Sequence, residues 1–446
     1  MGVAAADVDG NGFADLYVTN YGPNVLLLNK GDGTFQAADR GIAAGGWSTG
    51  AGFADPDRDG DLDLYVARYV DFDVARLPPP PGGNLLCKYR GMDVYCGPRG
   101  LTPLPDLFYR QGRDGRFADA TREAGMAVGP YYGFGVVWGD YNNDGWVDLY
   151  VANDSGPNLL FVNRKDGTFS EEALLAGAAV SADGREQAGM GVDAGDYDND
   201  GWLDLYVTNF SHDYNTLYRN LRDGSFADVS AATGHAQATF AALGWGTGFV
   251  DFDNDGWLDL FVANGHVYPQ MDRPGLGTRY RQRAQLFLNQ QGTRFVEIGK
   301  EAGLHTASLG RGAAFGDYDR DGYVDVLVNN LDGVPALLHN ETRNRNHWVQ
   351  FQLEGAARRN RDAIGARVEL RCGGRAQIRE VRSGSSYLSQ NDLRVHFGLG
   401  GHAQVESVTV RWPDGTVEDF RDVGVDRIWK LRQSTGRAEP EEGGRR

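Results

Sequence analysis

One acidic motif recurs six times along this chain, and it limits the possible folds more than any other feature. Its pattern is Asp-x-Asp/Asn-x-Asp/Asn-Gly-x-x-Asp-Leu/Val, and successive copies start 48, 85, 56, 55 and 66 residues apart. The copies begin at Asp7, Asp55, Asp140, Asp196, Asp251 and Asp317. The motif never gains or loses a residue, whereas the connections between copies do. Repetition of this kind indicates that each copy marks one unit of a repeat architecture.

Each unit contains four short segments of β-type sequence separated by turn residues. A glycine-rich apolar stretch such as 133–139 precedes the motif, and β-type runs such as 148–153 and 158–163 follow it. A Gly-Thr-Phe-like turn and strand closes the unit, for example at 167–169. A single four-stranded sheet cannot bury both of its faces, so we expect an all-β propeller in which each blade covers the next. A linear β-solenoid is the alternative, but its repeats are usually shorter.

The sixth unit lacks the closing element. It stops at 335–340 without a Gly-Thr-Phe-like turn, and the chain begins directly in the first strand of the first unit. In ring-shaped propellers the last blade is commonly completed by a strand from the opposite terminus. We therefore predict six recognisable blades within residues 1–343. We expect seven in the full-length protein, with upstream residues that supply the closing strand.

The spacing of oxygen-bearing side chains in the motif predicts a calcium loop. Ca²⁺ takes about six to eight oxygen ligands in flexible geometry, and the first, third, fifth and ninth positions are always Asp or Asn. The sixth is always Gly, which allows a sharp turn with positive φ, and the seventh is expected to offer its carbonyl. The predicted ligands are Asp7, Asp9, Asn11, Phe13, Asp15, Asp55, Asp57, Asp59, Asp61, Asp63, Asp140, Asn142, Asp144, Trp146, Asp148, Asp196, Asp198, Asp200, Trp202, Asp204, Asp251, Asp253, Asp255, Trp257, Asp259, Asp317, Asp319, Asp321, Tyr323 and Asp325.

Three other interpretations of the motif fit less well. An EF-hand needs a bidentate Glu at its twelfth position and flanking helices, and Mg²⁺ prefers octahedral sites that keep several waters. A hydrophilic hairpin turn explains one copy but not six in register. Three or four carboxylates packed together repel each other strongly without a cation, and up to six Ca²⁺ would offset most of the formal net charge of −17. The loop at Asp7 is expected to be the weakest.

The units resemble the FG-GAP/VCBS repeats of integrin α-chain propellers and of many secreted bacterial proteins, over roughly residues 1–340. The remainder resembles the ASPIC/UnbV domain at 364–368, 379–390, 396–400 and 410–415. Together with the insert at 87–98, this combination is similar to the cartilage acidic protein 1-like family. The resemblance implies a propeller of about seven blades that holds calcium on one rim, through the motif positions named above.

An insert of about 30 residues, roughly 70–105, separates the second and third motifs. It contains Pro78 to Pro81 and the cysteines Cys87 and Cys96. Their separation suits a disulfide that closes a small surface loop, which implies an oxidising compartment; two free thiols are the alternative. Zinc is disfavoured because no His lies near these two sulfurs. Cys372 is expected to be a buried small residue rather than a reactive thiol.

Residues 344–432 alternate apolar and polar side chains, as in 348–353 and 407–412. This pattern predicts a small antiparallel β-sandwich or barrel, and residues 433–446 are predicted to form a flexible tail. A polar cluster in this region is either a ligand site or a set of edge-strand and turn residues, and we favour the second. The cluster comprises Arg379, Arg382, Ser383, Ser385, Tyr387, Gln390 and Asn391.

The acidic composition argues against nucleic acid or an anionic membrane as the main partner, and no apolar run approaches the roughly 20 residues that span a bilayer. Common catalytic and phosphate-binding motifs are not found. We therefore expect a secreted, periplasmic or cell-surface monomer that binds a protein or glycan, with structural calcium. The alternative is a carbohydrate-active hydrolase or lyase with its site in the propeller channel, for which His266 and Tyr268 are the first candidates. A structural role in a cell-surface assembly is a third hypothesis.

Overall fold

The fold is a β-propeller followed by a β-sandwich, and nearly all of its regular structure is β-strand. The computed structural model describes residues 1–73, 75 and 87–441. Part of the predicted insert (74 and 76–86) and the end of the predicted tail (442–446) lie outside the described residues. Each of the first five blades is an antiparallel four-stranded sheet with its strands in sequential order. The acidic motif forms the hairpin loop between the first and second strands of each blade.

The strands of the propeller alternate with tight turns throughout. The first two blades and the insert hairpin comprise β1 (Val3–Ala6), β2 (Asp15–Val18), β3 (Val25–Asn29), β4 (Phe35–Ala38), β5 (Ser48–Ala54), β6 (Asp63–Arg68), β7 (Cys87–Tyr89), β8 (Met92–Val94), β9 (Leu107–Gln111) and β10 (Phe117–Asp119). Blades three and four comprise β11 (Gly133–Gly139), β12 (Asp148–Asn153), β13 (Leu159–Asn163), β14 (Phe169–Glu171), β15 (Gly189–Gly195), β16 (Asp204–Asn209), β17 (Thr216–Asn220) and β18 (Phe226–Asp228). Blades five and six comprise β19 (Gly244–Val250), β20 (Asp259–Asn264), β21 (Gln282–Arg283), β22 (Gln285–Asn289), β23 (Phe295–Glu297), β24 (Ala307–Ser308), β25 (Gly310–Gly316), β26 (Asp325–Asn330) and β27 (Ala336–Leu338).

The sixth blade has only three strands, β25, β26 and β27, among the described residues. This agrees with the missing Gly-Thr-Phe-like element in the sixth unit. Leu327 and Leu337, which are paired on β26 and β27, are 47% and 52% exposed. The sixth blade therefore leaves apolar side chains exposed, whereas strands β12, β16 and β20 of earlier blades are buried throughout. The seventh blade stays a prediction.

Glycine in the first strands lets neighbouring blades approach closely around the channel. A Cβ on Gly191 of β15 would lie 2.2 Å from the Trp245 carbonyl oxygen in the next blade. A Cβ on Gly50 of β5 would lie 2.1 Å from the Phe134 carbonyl oxygen. Real Cβ atoms do not come so near, so these positions require glycine for packing rather than for backbone freedom. This explains the glycine-rich stretch that precedes each motif.

An asparagine at or just after the end of the third strand links each later blade to the one before it. Its side-chain amide donates a hydrogen bond of 2.7–2.8 Å to a carbonyl in the acidic loop of the preceding blade. The pairs are Asn163 with Pro56, Asn220 with Tyr141, Asn289 with Tyr197, and Asn340 with Phe252. The acidic loops are therefore part of the seams between blades.

The C-terminal region is a sandwich of two four-stranded sheets. Its strands are β28 (His347–Glu354), β29 (Arg367–Cys372), β30 (Arg375–Glu380), β31 (Val395–Gly400), β32 (Ser407–Arg411), β33 (Val417–Phe420), β34 (Arg427–Arg432) and β35 (Ala438–Pro440). The sheets have the orders β31-β28-β34-β35 and β30-β29-β32-β33. Phe351, Val368, Phe397 and Trp412 are buried between them, and Cys372 is buried and unpaired as expected.

Two features of this sandwich differ from the predictions. Strands β28 and β34 are parallel, because the chain crosses to the other sheet and back between them, so the sandwich is not antiparallel throughout. The segment predicted as a flexible tail contains β35, which pairs with β34 through Trp429, Lys430 and Leu431. Short polar sequences of this kind carry little periodicity, so the pairing was not visible in the sequence pattern.

Helices are few and short in the described residues. They are α1 (Ala173–Ala176), α2 (Ala236–Thr239) and a 3-10 helix (Pro269–Asp272). None of the described helices has the length and apolar character that crossing a bilayer requires.

Candidate metal centre

Every acidic loop is wound around the side chain of its first aspartate. In the third loop, Asp140 Oδ1 accepts the N–H of Asp144 at 3.0 Å and Oδ2 accepts the N–H of Gly145 at 2.9 Å. The same two hydrogen bonds, from the fifth and sixth residues, recur in the other five loops. The sixth residue, always Gly, has φ between 86° and 91° in all six copies. The predicted need for glycine is therefore confirmed.

The fourth position of each loop also lies in the left-handed region, which the sequence analysis missed. Its φ is 53–64° in five loops and 76° at Gly10 of the first. The residues are Gly10, Arg58, Asn143, Asn199, Asn254 and Arg320. Asn and Gly adopt this conformation most readily, so their frequency at this position was the available signal.

The ninth aspartate ties the loop to the body of its blade. Asp148 Oδ2 accepts the N–H of Tyr141 at 3.2 Å, and its Oδ1 accepts the N–H of Asn163 at the end of β13 at 2.8 Å. Equivalent pairs occur in the first, fourth, fifth and sixth loops. The eighth residue anchors the loop in the core as predicted at Leu62, Val147, Leu203, Leu258 and Val324, whereas Ala14 of the first loop is exposed.

The predicted acidic side chains converge. In at least four loops of the described residues, three carboxylates have oxygens within 4.8 Å of one another. These sets are Asp7, Asp9 and Asp15; Asp55, Asp57 and Asp59; Asp196, Asp198 and Asp204; and Asp251, Asp253 and Asp255. In the sixth loop Asp319 and Asp321 converge with His339, whose Nε2 lies 3.1 Å from Asp319 Oδ2. His339 follows β27 and has no local motif around it, so sequence reasoning did not find it.

The seventh residues bring their backbone N–H, rather than their side chains, to the loop. Each donates to the side-chain oxygen of the fifth residue at 2.8–3.0 Å. These residues are Phe13, Asp61, Trp146, Trp202, Trp257 and Tyr323. The predicted use of their carbonyls as ligands stays a prediction. The side chains of Trp146 and Trp257 instead lie under the guanidinium groups of Arg58 and Arg375, at 3.8 and 4.6 Å.

Burial makes these carboxylates costly to ionise without a cation. Desolvation, reinforced by neighbouring carboxylates, raises the pKa of Asp55 and of Asp196 to about 7. It raises the pKa of Asp251 to about 8. The pKa values of the ninth residues Asp148 and Asp204 lie well above the ordinary range for the same reason. A divalent cation among these oxygens would remove the repulsion and favour the ionised form.

Buried oxygens without a hydrogen-bond partner show that the donor set fits such a cation. Asp57 Oδ1, Asp63 Oδ2 and Asp198 Oδ1 are buried and accept no hydrogen bond from the described residues. Orphaned buried acceptors are rare in folded proteins and point to a water or an ion. The side-chain oxygens present are the hard ligands that Ca²⁺ prefers. Basic side chains partly substitute for a cation in several loops; for example, Arg219 lies 2.7 Å from Asp198 and Lys165 lies 3.2 Å from Asp144.

The C-terminal sandwich covers the acidic rim and contacts all six loops, which the sequence did not predict. Arginines make most of these contacts, to loop carboxylates or loop carbonyls. The pairs are Asp362 with the Asp7 amide (3.4 Å), Arg359 with Asp61 (3.0 Å), Arg411 with Asp140 (3.2 Å), Arg367 with the Gly201 carbonyl (2.7 Å), Arg375 with the Asp255 carbonyl (3.4 Å), and Gln350 with Asp317 (2.8 Å). The rim is therefore an internal interface rather than a free surface.

The segment 383–392 of the sandwich enters the channel of the propeller. Ser386 exchanges two backbone hydrogen bonds with Val192, at 2.8 and 3.0 Å, and its Oγ accepts the N–H of Thr247 at 2.9 Å. Other residues of the segment contact the first strands of the remaining blades, at Ala5, Ala51, Phe134 and Phe315. The polar cluster predicted as edge and turn residues is therefore largely a plug in the channel. Arg382 faces Asp193 there at 3.8 Å.

At the opposite rim, the insert forms a disulfide-closed hairpin that reaches across the propeller. Cys87 and Cys96 are bonded, which confirms the predicted pairing. The hairpin leaves the second blade at the end of β6, away from the acidic loop, and packs against later blades. Tyr89 Oη lies 3.1 Å from both Ser211 Oγ and His212 Nδ1, and Met92 and Val94 pack on Met271. We name this face, formed by the hairpin and the adjacent blade loops, the insert-side rim.

His266, the first catalytic candidate from the sequence, is fixed in a hydrogen-bond network at this rim. Its Nδ1 accepts the N–H of Tyr268 at 3.0 Å, which places the proton on Nε2. Nε2 then donates to Ser211 Oγ at 2.9 Å. Burial lowers the pKa of His266 to about 4. In this tautomer His266 cannot accept a proton from Ser211, so the pair is not arranged as a nucleophile and its base.

Comparisons with known proteins agree with this architecture. The family model for the FG-GAP-like repeat matches residues 7–66, 140–207 and 196–262, and the model for ASPIC and UnbV matches 356–438. Cartilage acidic protein 1 of Xenopus tropicalis is 25% identical over 94% of this chain and 62% of its own length. The Mus musculus protein is 25% identical over 93% of this chain and 61% of its own length. The chain thus spans about three fifths of the length of these curated relatives.

Solved structures with a similar arrangement of strands share little sequence. A lectin of Agrocybe aegerita that recognises non-reducing terminal N-acetylglucosamine is 16% identical, covering 76% of this chain and 80% of that chain with a TM-score of 0.42. Rhamnogalacturonan lyase YesW is 14% identical, covering 77% of this chain and 73% of that chain with a TM-score of 0.32. Both likenesses are too weak to bear on function. By its repeats and its fold, the chain is a β-propeller with FG-GAP-like repeats followed by an ASPIC and UnbV domain, and it is similar over nearly its whole length to cartilage acidic protein 1.

Proposed function

We propose that this chain is a calcium-stabilised binding module that acts outside the cytoplasm and recognises a protein or glycan. The observation that carries the proposal is the convergence of buried carboxylates in repeated loops on one rim. Each loop would hold Ca²⁺ through its first, third, fifth and ninth side chains. Bound calcium would supply positive charge to oxygens that otherwise repel each other, and so stabilise the native state over the unfolded chain.

A structural rather than regulatory role for this calcium follows from the cover over the rim. The sandwich contacts every loop, so ions held there would lie between two folded parts of the same chain. Loop residues also form the seams between blades, as in the contact of Asn289 with Tyr197. Ordering the loops would therefore order both the contacts between blades and the surface that the sandwich packs against.

The insert-side rim is the surface that we propose for partner binding. The acidic rim is covered by the sandwich, and the channel holds the segment 383–392. The insert-side rim instead presents an aromatic group in which Trp47 contacts Tyr21, Tyr69 and Phe72 edge to face, at 5.3–5.8 Å. Tyr21 is 59% exposed. Rigid, partly exposed aromatic side chains are typical anchors of binding surfaces.

The same geometry favours binding over catalysis, and the disulfide favours an oxidising compartment. A site in the channel, as a hydrolase or lyase would need, would compete for space with the plug. His266 has both ring nitrogens engaged. The Cys87–Cys96 bond is typical of proteins that leave the reducing cytosol. We therefore propose a secreted, periplasmic or cell-surface location.

Calorimetric titration of chelator-treated protein with Ca²⁺, followed by thermal melting, tests this function. We expect binding of Ca²⁺ with little response to Mg²⁺ at equal concentration, and a higher melting temperature in calcium. One site at about 100 times its Kd adds about 2.7 kcal/mol to the free energy of unfolding. An unchanged melting temperature in millimolar calcium, with no heat of binding, would contradict the proposal.

A further inference from the structure

One loop of the insert-side rim is basic, although the protein as a whole is strongly acidic. The formal net charge is −17, and the carboxylates of the motif lie on the other rim. Between β20 and β22, the loop 265–283 contains four arginines and a single acid, Asp272. Arg283 is paired with Glu297 at 2.8 Å, but Arg273, Arg279 and Arg281 are exposed. This loop therefore differs in charge from the protein as a whole.

The insert adds one more arginine beside the three exposed arginines of this loop. Arg90, at the tip of the disulfide hairpin, donates a hydrogen bond to the Leu276 carbonyl oxygen at 2.5 Å. We name Arg90, Arg273, Arg279 and Arg281 the basic cluster. Within the described residues, none of these four guanidinium groups is in an ion pair with a carboxylate. Lys88 of the hairpin, by contrast, is paired with Asp93 at 2.5 Å.

Contacts between the insert hairpin and the blade-five loop fix the position of the basic cluster. Met92 and Val94 of the hairpin form a small core with Met271 of the blade-five loop, with Leu276 packed against it. Gln270 Nε2 also donates to the Asp93 carbonyl at 3.2 Å. Between Arg273 and Arg279 the loop encloses a depression of about 200 Å³. Unpaired cations around a concave surface are a feature of anion recognition rather than of fold stability.

The positive charge of the cluster affects a neighbouring side chain. Burial lowers the pKa of the neighbouring His212, and the charge of Arg90 lowers it further. Asp272, the one acid of this loop, forms no ion pair with the cluster among the described residues; its Oδ1 accepts the N–H of Tyr280 at 3.0 Å. An anionic group entering the depression would find cations without competing carboxylate partners.

We propose that the basic cluster binds an anionic polysaccharide, through its sulfate or carboxylate groups. This inference rests on the proposed binding function and names the ligand class. A flexible glycan chain can follow a small basic patch, whereas a long stiff nucleic acid would extend over the acidic surface around it. The disulfide in the hairpin also places the protein where glycans are the common polyanions. Aromatic side chains on the same rim, the exposed Tyr21 and the partly buried Trp47, offer apolar contact to sugar rings.

Binding of dextran sulfate and of polygalacturonate by the calcium-saturated full chain tests this, with neutral dextran and a short DNA duplex as comparisons. The test variant replaces Arg273, Arg279 and Arg281 with Ser. The matched control replaces three exposed basic residues of other propeller loops, Arg122, Arg164 and Lys300, with Ser. Both variants change the net charge equally. Arg90 is left in place because it anchors the hairpin.

We expect at least one anionic glycan to bind, with affinity that falls as salt rises, and neutral dextran not to bind. Each surface charge contact contributes modestly to the binding free energy. We therefore expect the affinity of the test variant to fall by up to about tenfold, and that of the control to stay within about twofold of the parent. Equal loss in both variants, no binding to either anionic glycan, or DNA bound as tightly as the glycans would overturn the proposal. A calcium titration of the same samples separates the two claims, because intact calcium binding without glycan binding rejects only the basic cluster.

Discussion

At the scale of single residues, the aspartates of the motif both shape the loop and leave buried oxygens that accept no hydrogen bond from the described residues. The first and ninth, such as Asp196 and Asp204, accept backbone N–H groups and shape the loop. In the second and fourth loops the third residue, Asp57 or Asp198, leaves a buried oxygen without any hydrogen-bond partner among the described residues. The side chains of Asp57 and Asp198 should therefore affect metal binding more than the fold of the metal-free protein.

Replacing Asp198 with Asn should reduce the stabilisation by calcium and change the chelated protein little. The side chain keeps its shape but loses charge at one loop, so we expect a loss of about 1–3 kcal/mol of calcium-dependent stability. Thermal melting with and without chelator measures this. Asp223→Asn in the same blade is the control, because Asp223 lies in an exposed turn outside the loop. Equal calcium-dependent shifts in both variants would contradict a ligand role for Asp198.

The raised pKa values predict a pH dependence that calcium should abolish. The pKa values of Asp55 and Asp196 are about 7 and that of Asp251 is about 8, all above the value of about 4 in an unfolded chain. The folded metal-free protein therefore binds more protons than the unfolded chain near neutral pH. Its stability should therefore fall as pH rises from about 4 to about 8 and level off above that, where these carboxyls are ionised in the folded protein as well. Melting temperatures across this range in chelator and in calcium test the idea, and parallel curves would count against it.

At the scale of structural elements, the close packing of the first strands around the channel depends on glycine residues. The β15 strand passes so close to the next blade that Gly191 has no room for a methyl group. Gly45, in the connection between the first two blades, has no atom near its would-be Cβ and no positive φ. Two glycines of the same chain thus allow a direct comparison.

Gly191→Ala should destabilise the propeller, and Gly45→Ala should not. The methyl group added at Gly191 would meet the Trp245 carbonyl oxygen, and overpacking of this kind typically costs about 1–3 kcal/mol. Chemical denaturation of both variants in calcium gives the comparison. Equal stability of the two would show that the first strands are less tightly packed than the structure indicates.

The repeating elements could be predicted from sequence because their signals are local. The motif spacing identified the loops, their glycine and their converging carboxylates, and the Gly-Thr-Phe element identified the missing strand of the sixth blade. The contacts that cover the loops could not be predicted. Arg359 and Asp61 are almost 300 positions apart, and nothing near either residue indicates the other. His339 and the parallel pairing of β28 with β34 were missed for the same reason.

At the scale of the whole molecule, the sandwich, the acidic rim and the channel plug form one connected system. The sandwich contacts the loops through residues such as Gln350 and Arg411, and its segment 383–392 continues into the channel. Calcium in the loops would therefore support the plug indirectly. The insert hairpin, at the other rim, shares no contact with the loops in the described residues.

Removing calcium should loosen the plug before the insert hairpin. We expect faster hydrogen exchange at amides of 383–392 in chelator, for example at Ser386, because the sandwich loses its ordered seat. Amides of β7 and β8 should keep their exchange rates under the same mild conditions. Hydrogen exchange followed by mass spectrometry makes the comparison within one sample. Unchanged exchange in 383–392 would show that the loops and the plug are not linked.

The most direct test of the account is the calcium content of the purified protein. Protein dialysed without chelator against millimolar calcium and then washed should retain Ca²⁺ in elemental analysis, up to one ion for each of the six loops. Asp198→Asn should retain less than the parent. A protein that folds, melts cooperatively and yet carries no calcium would contradict the central claim that these carboxylates converge to bind a divalent cation.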